Sequence, residues 1–426
     1  MKIGIISINA HTKVLNFASP LHSYAFQAFL EDNGIESTII DYKPVYYGKF
    51  DVRHPLFYYV DHPDNDPVVQ ARLLKKWKNL FYEREYRFDR FEEFIQKYYK
   101  KTDVCYDAKM METVDAGFDC YICVTDVIWK YNPKNGFDRG YLLACKQMEG
   151  KKKIAYAASR GAKGYTADQN KEFFDYISDI DYISVREKSL KEHIEKDSDL
   201  PVTHVLDPVF LQEKEFYYDL AIQPEKKGYV LLYIVMEKAK SLVKAAVQFA
   251  ELHNLEVIEL SENKEDENIP KGTHHKVIYD LGVEEWLGYM QNAEYIFTNS
   301  FHACCFSIIF GKQFFAGDRS GDKIDSVLEM FKLSSRRISG SSPDMANSMA
   351  DINYEAIDKL RYEYMQSSKD FILNAIHDME KKPHENHKNL VHADVYTRKD
   401  PKEPITNLFD RWFKKLKKFV KKLINY

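Results

Sequence analysis

Residues 295–319 read YIFTNSFHACCFSIIFGKQFFAGDR. The β-branched and aromatic run Tyr295, Ile296, Phe297, Thr298 has the composition of a buried strand. Asn299 and Ser300 then supply the turn and N-cap chemistry that opens a helix. His302 falls in that helix's first turn. The unpaired backbone N–H groups and the positive end of the helix dipole favour an anion there, and an imidazole beside them exchanges protons near neutral pH. Taken by itself, His302 is either such a proton-exchanging group or a histidine bonded to a backbone carbonyl.

The same strand-then-helix unit recurs outward from this stretch. Lys2 to Ile8 is a short apolar strand, Leu21 to Asn33 has helical spacing that Gly34 stops, and Ile35 to Tyr42 is a second strand. This is a βαβ unit, with a right-handed crossover and a ligand site beyond the strand C-termini. Its first loop has no GxGxxG, so a dinucleotide fingerprint is absent. Phe118 to Thr125, Lys153 to Ala158 and Tyr182 to Glu187 are further strands, and a second set begins at Tyr229 after the linker-like QPEKKG of 223–228. The expectation is an α/β chain with two Rossmann-like domains, 1–222 and 228–345. A helical insertion or lid is expected at about 55–101, a long helix at 353–380 and a polar linker at 384–404.

Size and charge agree with two cores. A chain of 426 residues exceeds one ordinary core, and 45% hydrophobic with 30% charged residues is the composition of a globular protein. The 30 Tyr and 27 Phe fit an aromatic core or a carbohydrate partner. The net charge of −4 hides a basic end: 405–426 carries seven Lys or Arg against Asp410. In NLFDRWFKKLKKFVKKLINY the apolar residues share one helical face and the lysines the other, as in a helix drawn to an anionic membrane surface, or docked on the chain's acidic body or on a partner. Six cysteines and an N-terminus without a signal-peptide pattern predict a reducing, cytoplasmic compartment, with the protein peripheral at the inner face of the membrane. Cys120 and Cys123 lie within one strand and point to opposite faces, and no His/Cys/Asp/Glu set has metal-ligand spacing, so no metal is expected. No nucleic-acid partner is expected.

Several residues sit where an α/β protein presents chemistry. Asp126 and Trp129 follow a parallel strand, Trp129 being equally readable as core. Arg186 ends the strand YISVRE, where its planar fork suits a phosphate or carboxylate, or a structural ion pair. Arg160 follows KIAYAAS as a substrate contact or a solvated loop cation, and Asp207 reads as the cap of a turn.

These strings resemble the polysaccharide pyruvyl transferase family over roughly residues 1–375. In the opening segment Asn16, Leu21, Tyr24, Ala25, Asp41 and Tyr42 match, with Phe17 and Ala18 where the family has Tyr-Gly. DVIWKYNP is similar to the family's GSDQIWNP signature, with Val124 and Thr125 in place of its Gly-Ser. ISVREKS and VLDP are close to the family's own strings, and Arg160 stands where an aromatic is usual. TNSFHACCFSIIFGKQFF resembles TxSFHGxxFSIIFxKPF with Ala303 for glycine and Gln313 for proline, and Arg336 or Arg337 takes the place of a later arginine.

The resemblance implies a GT-B-like pair of domains around a cleft, with the last long helix crossing back to the first. It implies transfer of the pyruvyl carbons of phosphoenolpyruvate, the donor substrate, onto two hydroxyls of a sugar in a surface glycan or lipid-linked precursor, with no cofactor. His302 would be the acid or base, and Arg186, Ser300, Asn16, Asp126, Trp129, Arg160, Arg336 and Arg337 would contact substrate. Two other readings stay open: a GT-B-like glycosyltransferase using a nucleotide sugar, and a non-catalytic family member in glycan assembly.

Overall fold

Ile3–Ser7 (β1) is apolar on both faces and buried throughout, as a strand inside a doubly covered parallel sheet must be. The computed structural model describes residues 1–12, 14–44, 52–53, 71, 81–161, 164–235, 239–260, 275–319, 321–338, 346 and 348–400. From β1 the chain runs through α1 (Ser19–Asp32), β2 (Ser37–Lys43), α2 (Phe81–Tyr98), β3 (Lys101–Asp107), β4 (Cys120–Val124), β5 (Lys152–Ala158), α3 (Ala167–Ile177), β6 (Tyr182–Val185), α4 (Lys188–Asp197) and β7 (Val202–His204). These seven strands form one parallel sheet in the order β3-β2-β1-β4-β5-β6-β7. Helix α1 stops at Gly34, whose φ of 72° lets the N–H groups of Gly34 and Ile35 return to the carbonyls of Glu31 and Leu30.

The second unit contains β8 (Val230–Tyr233), α5 (Lys240–Leu252), β9 (Val257–Glu259), β10 (His275–Val277), α6 (Val283–Asn292), β11 (Tyr295–Thr298), α7 (Phe301–Ile309), β12 (Gln313–Ala316) and α8 (Lys323–Met330). Its parallel sheet has the order β10-β9-β8-β11-β12. Both sheets therefore reverse direction beside their first strand, at β1/β4 and at β8/β11. In open α/β sheets a crevice opens at such switch points beyond the strand C-termini. This is the two-domain, GT-B-like fold that the sequence implies. Among the described residues no helix is long and apolar enough to cross a membrane.

Helix α9 (Tyr354–Lys381) ties the units together. At one end the Tyr354 hydroxyl donates to the Ser307 carbonyl of α7, and further along the Ser368 Oγ accepts from the N–H of Leu206, just beyond β7. At about 1.5 Å per residue its 28 residues span about 42 Å, enough to reach across both domains.

Two segments differ from the sequence reading. Of the helical insertion expected at 55–101, residues 81–98 form α2, while 55–70 and 72–80 lie outside the described residues. Helix α2 leads directly into β3, an edge strand whose mostly exposed, polar side chains hide the alternation that marks a half-buried strand. Buried Arg87 of α2 donates from Nε to the Tyr279 carbonyl at 2.7 Å, which fastens the helix to the second domain. The expected linker is also structured as far as it is described. Val391 and Val395 are buried against the first sheet, Ser198 and Val391 form an antiparallel bridge, and Arg398 holds Asp197 with two hydrogen bonds of 2.9 and 3.0 Å. Two valines spaced i, i+4 in a polar run suffice to dock it. The basic segment 405–426 lies outside the described residues.

His384 starts that docking, with Nδ1 3.0 Å from Asp181 and Nε2 3.2 Å from Asp179. Hydrogen bonds to Asp179 and Asp181 outweigh burial and raise its pKa to about 9. The folded value lies above the unfolded 6.5, so the imidazolium's stabilisation is complete below pH 6.5 and is lost as pH rises through about 9. Tryptic cleavage at Lys388 is expected to accelerate over that interval, and His384→Ala should be cleaved fast even below pH 6.5; a rate flat with pH in the parent protein would refute this anchoring.

Candidate functional site

The carboxyl end of the first sheet is built from strand exits that turn sharply. After β4 the backbone enters the left-handed region at Thr125 (φ 40°) and Asp126 (φ 55°), and Ala157 near the end of β5 does the same (φ 51°). For a β-branched residue such as Thr125 this conformation is an outlier and costs on the order of 1–3 kcal/mol, a kind of strain that gathers at functional sites. The N–H of Thr125 is held by the Tyr156 carbonyl at 2.9 Å, and that of Ala157 by the Ser184 Oγ at 3.1 Å. The turns aim Thr125 and Asp126 at Arg186, which leaves the end of β6.

Arg186 is 4% exposed and almost wholly committed. Its Nη1 donates to Asp207 at 2.7 Å and to Thr125 Oγ1 at 3.2 Å, Nη2 to Asp126 at 3.1 Å, and Nε to Glu187 at 3.2 Å. The guanidinium also lies 4.6 Å over the ring of Phe301, the first residue of α7 in the other domain. Burial opposes the charge, but Glu187, Asp207 and Asp126 more than offset it and raise the pKa of Arg186 further. The arginine expected to grip a substrate anion is thus the hub of an acidic cluster: between the anion site and the ion pair that the sequence left open, the contacts are those of the ion pair.

The second domain contributes the turn of 298–302. Thr298 Oγ1 donates to the Tyr233 carbonyl at 2.6 Å and accepts from the N–H of Ser300 at 3.0 Å, and the Asn299 side chain pairs with both backbone groups of Val235. These bonds fix the exits of β8 and β11 together. Ser300 caps α7 by accepting from the N–H of Ala303 at 3.4 Å, which leaves the first N–H groups of the helix without intrahelical partners.

His302 then projects across to the first domain. Its Nε2 lies 3.6 Å from Asp207 Oδ2, is buried and has no hydrogen-bond partner. Its ring stacks on that of His22, from the first turns of α1, with centroids 5.4 Å apart and planes 21° from parallel. His22 is fully buried, with Nε2 2.6 Å from the Asn9 amide nitrogen and Nδ1 3.3 Å from Ser23 Oγ. With the amide N–H donating to Nε2, the neutral ring carries its proton on Nδ1. Burial first, and then His302, lower the His22 pKa to about 4, so it is neutral at physiological pH.

Charge is strongly organised here. Burial would raise Asp207, but His302, Arg186 and His22 hold its carboxyl well below the usual range. Asp126 is likewise depressed against burial by Lys323, Arg186 and the two histidines. Lys323, at the start of α8, stands 3.6 Å from Asp126, and burial together with Arg186 lowers its pKa to about 8. Half-buried Arg319 donates to the Asn299 carbonyl at 3.4 Å on the same side.

His302, Arg186, Ser300 and Asp126 therefore converge. Asn16 is nearby in a bridging role: its Oδ1 accepts from the N–H of Ala18 at 3.2 Å and from the Tyr233 hydroxyl at 3.3 Å. Trp129 is fully buried, packed edge-on against Phe173. Arg160 bonds His193 at 2.5 Å, Arg336 donates to the Ala350 carbonyl, and Arg337 pairs with Asp325 at 3.1 Å. These partners of the four lie outside the cluster. The sequence reading missed His22 and Lys323 as site residues and took Asp207 for a cap alone. Asp207 does cap, accepting from the N–H of Val209, but its other oxygen is the meeting point of Arg186, Thr125 and His302. A lone histidine, His22, in an otherwise apolar helical stretch was the available signal.

Replacing Arg186 tests hub against clamp. Arg186→Met strands three carboxylates and is expected to cost about 3–5 kcal/mol in denaturant unfolding, as removal of one member of a buried ion cluster does. A variant that loses activity with unchanged stability would make Arg186 a substrate clamp instead.

Among solved structures the chain is similar to a UDP-N-acetylglucosamine 2-epimerase from Listeria monocytogenes, with a TM-score of 0.51 at 11% identity over 89% of this chain and 96% of that one. The corresponding enzyme from Rickettsia bellii aligns with a TM-score of 0.47 at 10% identity over 89% and 96%. At such identities the Listeria likeness shows the fold alone. No curated protein matches in sequence. The family model for polysaccharide pyruvyl transferase, by contrast, matches residues 21–319 and so takes in His22 and the rest of α1 after it, the strained exit at Thr125 and Asp126, Arg186, Asp207 and the 298–302 turn. The chain belongs to the polysaccharide pyruvyl transferase family.

Proposed function

We propose that this protein transfers the pyruvyl group of phosphoenolpyruvate to two hydroxyls of one sugar, forming a cyclic ketal and releasing phosphate. The observation that carries the reading is the buried Nε2 of His302, which has no hydrogen-bond partner and faces the Asp207 carboxylate 3.6 Å away at the N-terminus of a helix. The reaction needs a proton for the methylene carbon, cations for the donor's phosphate and carboxylate, and an acceptor for hydroxyl protons. Protonated His302, its charge balanced by Asp207, gives its proton to the methylene carbon as a sugar hydroxyl adds to the adjacent carbon. That hydroxyl's proton restores His302. The bond from carbon to phosphate oxygen then breaks, the second hydroxyl adds at the same carbon, and its proton leaves with the phosphate.

The cluster's charge sets the orientation. Arg186 is consumed by Asp207, Asp126 and Glu187, so an anionic donor is repelled from the first-domain side. The donor belongs against the start of α7, with Arg319 and Lys323 as its cations. The sugar hydroxyls belong by Asp126, which can accept their hydrogen bonds. The acceptor is a surface glycan or its lipid-linked precursor, and the basic amphipathic sequence 405–426 supports a place at the inner face of an anionic membrane.

Phosphate release from phosphoenolpyruvate with glycan acceptors measures the activity. His302→Ala is expected to lower kcat about 10²–10⁴-fold, the usual range for a general acid, and Lys323→Gln to raise KM for phosphoenolpyruvate more than it lowers kcat. Phosphate release unaffected by His302→Ala, or thermal stabilisation by UDP-sugars and not by phosphoenolpyruvate, would overturn the reading in favour of a nucleotide-sugar transferase. Truncation of 405–426 should release the protein from anionic liposomes; unchanged co-sedimentation would remove the membrane assignment.

A further inference from the structure

The geometry points to a zinc-type divalent-cation site formed by His11, Asp41 and Cys105, at the edge of the first sheet. Strands β2 and β3 pair in parallel with Asp41 directly beside Cys105, after a register shift between Ile39 and Asp41. Such an irregularity re-aims side chains at a sheet edge, and here it sets a carboxylate and a thiol side by side. The N–H of Asp41 is held by Thr102 Oγ1 at 3.0 Å, which fixes the shifted register. His11, from the loop after β1, closes over them with Nε2 2.5 Å from Asp41 Oδ1 and 3.9 Å from Cys105 Sγ. One donor atom of each residue lies within 4.8 Å of the others.

One nitrogen, one oxygen and one sulfur ligand suit tetrahedral Zn²⁺, and the thiolate excludes Mg²⁺ and Ca²⁺ as preferred occupants. The other carboxylate oxygen of Asp41 is held by Lys101 Nζ at 3.0 Å, an outer contact that orients the ligand. His11 and Asp41 are half-buried and Cys105 is exposed, so a fourth position faces solvent. Binding releases the Cys105 thiol proton to solvent, with no change of oxidation state. The ion would pin the loop that also carries Asn9, the partner of His22, to the sheet edge. Because the three ligands come from a loop and two strands far apart in sequence, ligand spacing along the chain gave no sign of them. The site is independent of the ketal chemistry and stands or falls separately.

The test uses the full-length reduced protein, freed of metal with a chelator and titrated with Co²⁺ and then Zn²⁺ against a chromophoric competitor. A single equivalent of Co²⁺ should give a thiolate-to-metal charge-transfer band that Zn²⁺ abolishes. Cys105→Ser should remove the band, and both Cys105→Ser and His11→Gln should weaken Zn²⁺ binding by about tenfold or more. Cys105 is exposed, so Cys105→Ser is expected to keep the metal-free melting temperature, which separates lost ligation from misfolding. Absence of stoichiometric binding, or a band that survives Cys105→Ser and so belongs to one of the five buried cysteines, overturns the proposal.

Discussion

A guanidinium taken out of water must be matched by carboxylates, and the arrangement of this molecule's centre follows from how Arg186 is matched. Its partners come from three separate strand exits: Asp126 after β4, Glu187 after β6 and Asp207 after β7. Removing any one leaves a buried charge short of a partner, so the exits are held to one geometry together. The same cluster crosses between domains, because Arg186 lies over Phe301 and Asp207 faces His302. Strand exits of the two domains are thereby fixed against each other by charge as well as by packing.

That matching explains where backbone strain is found. Thr125 and Asp126 adopt positive φ where a strand would otherwise run on past Arg186, and the bonds from Thr125 Oγ1 to Asp207 and from Arg186 to Thr125 hold the bend. Where this chain has alanine in place of a family glycine at position 18, the backbone makes no such demand: Ala18 has φ −80°, open to any residue. Strain thus lies with the ion cluster and not with the glycine replacement in the β1 loop.

Much of the fold was legible because it rests on local rules. Apolar runs marked β1, β4, β5 and β11, Ser300 marked the cap of α7, and Gly34 marked the end of α1. Strand β3 escaped because an exposed edge strand needs no apolar face, and the docked segment near Val391 escaped because two valines in a polar run resemble a linker. At the site, His302 and Arg186 were visible from strand-end position, but whether Arg186 was free or spent depends on carboxylates 60 and 21 residues away. Partner identity of that kind is a property of three dimensions. His22 was hidden for the same reason, since its partners Asn9 and His302 lie 13 and 280 residues away in sequence.

The stacked histidines also differ in what surrounds them. His22 is held neutral, burial and the neighbouring His302 ring 5.4 Å away lowering its pKa to about 4. The Asn9 amide occupies Nε2 of His22 as a donor, which blocks the position where that ring would take a proton. His302 has its open Nε2 towards Asp207. The Asp207 carboxylate faces that nitrogen at 3.6 Å. Asn9 and His22 thus set a neutral wall against one face of the His302 ring, while Asp207 supplies the charge beside it.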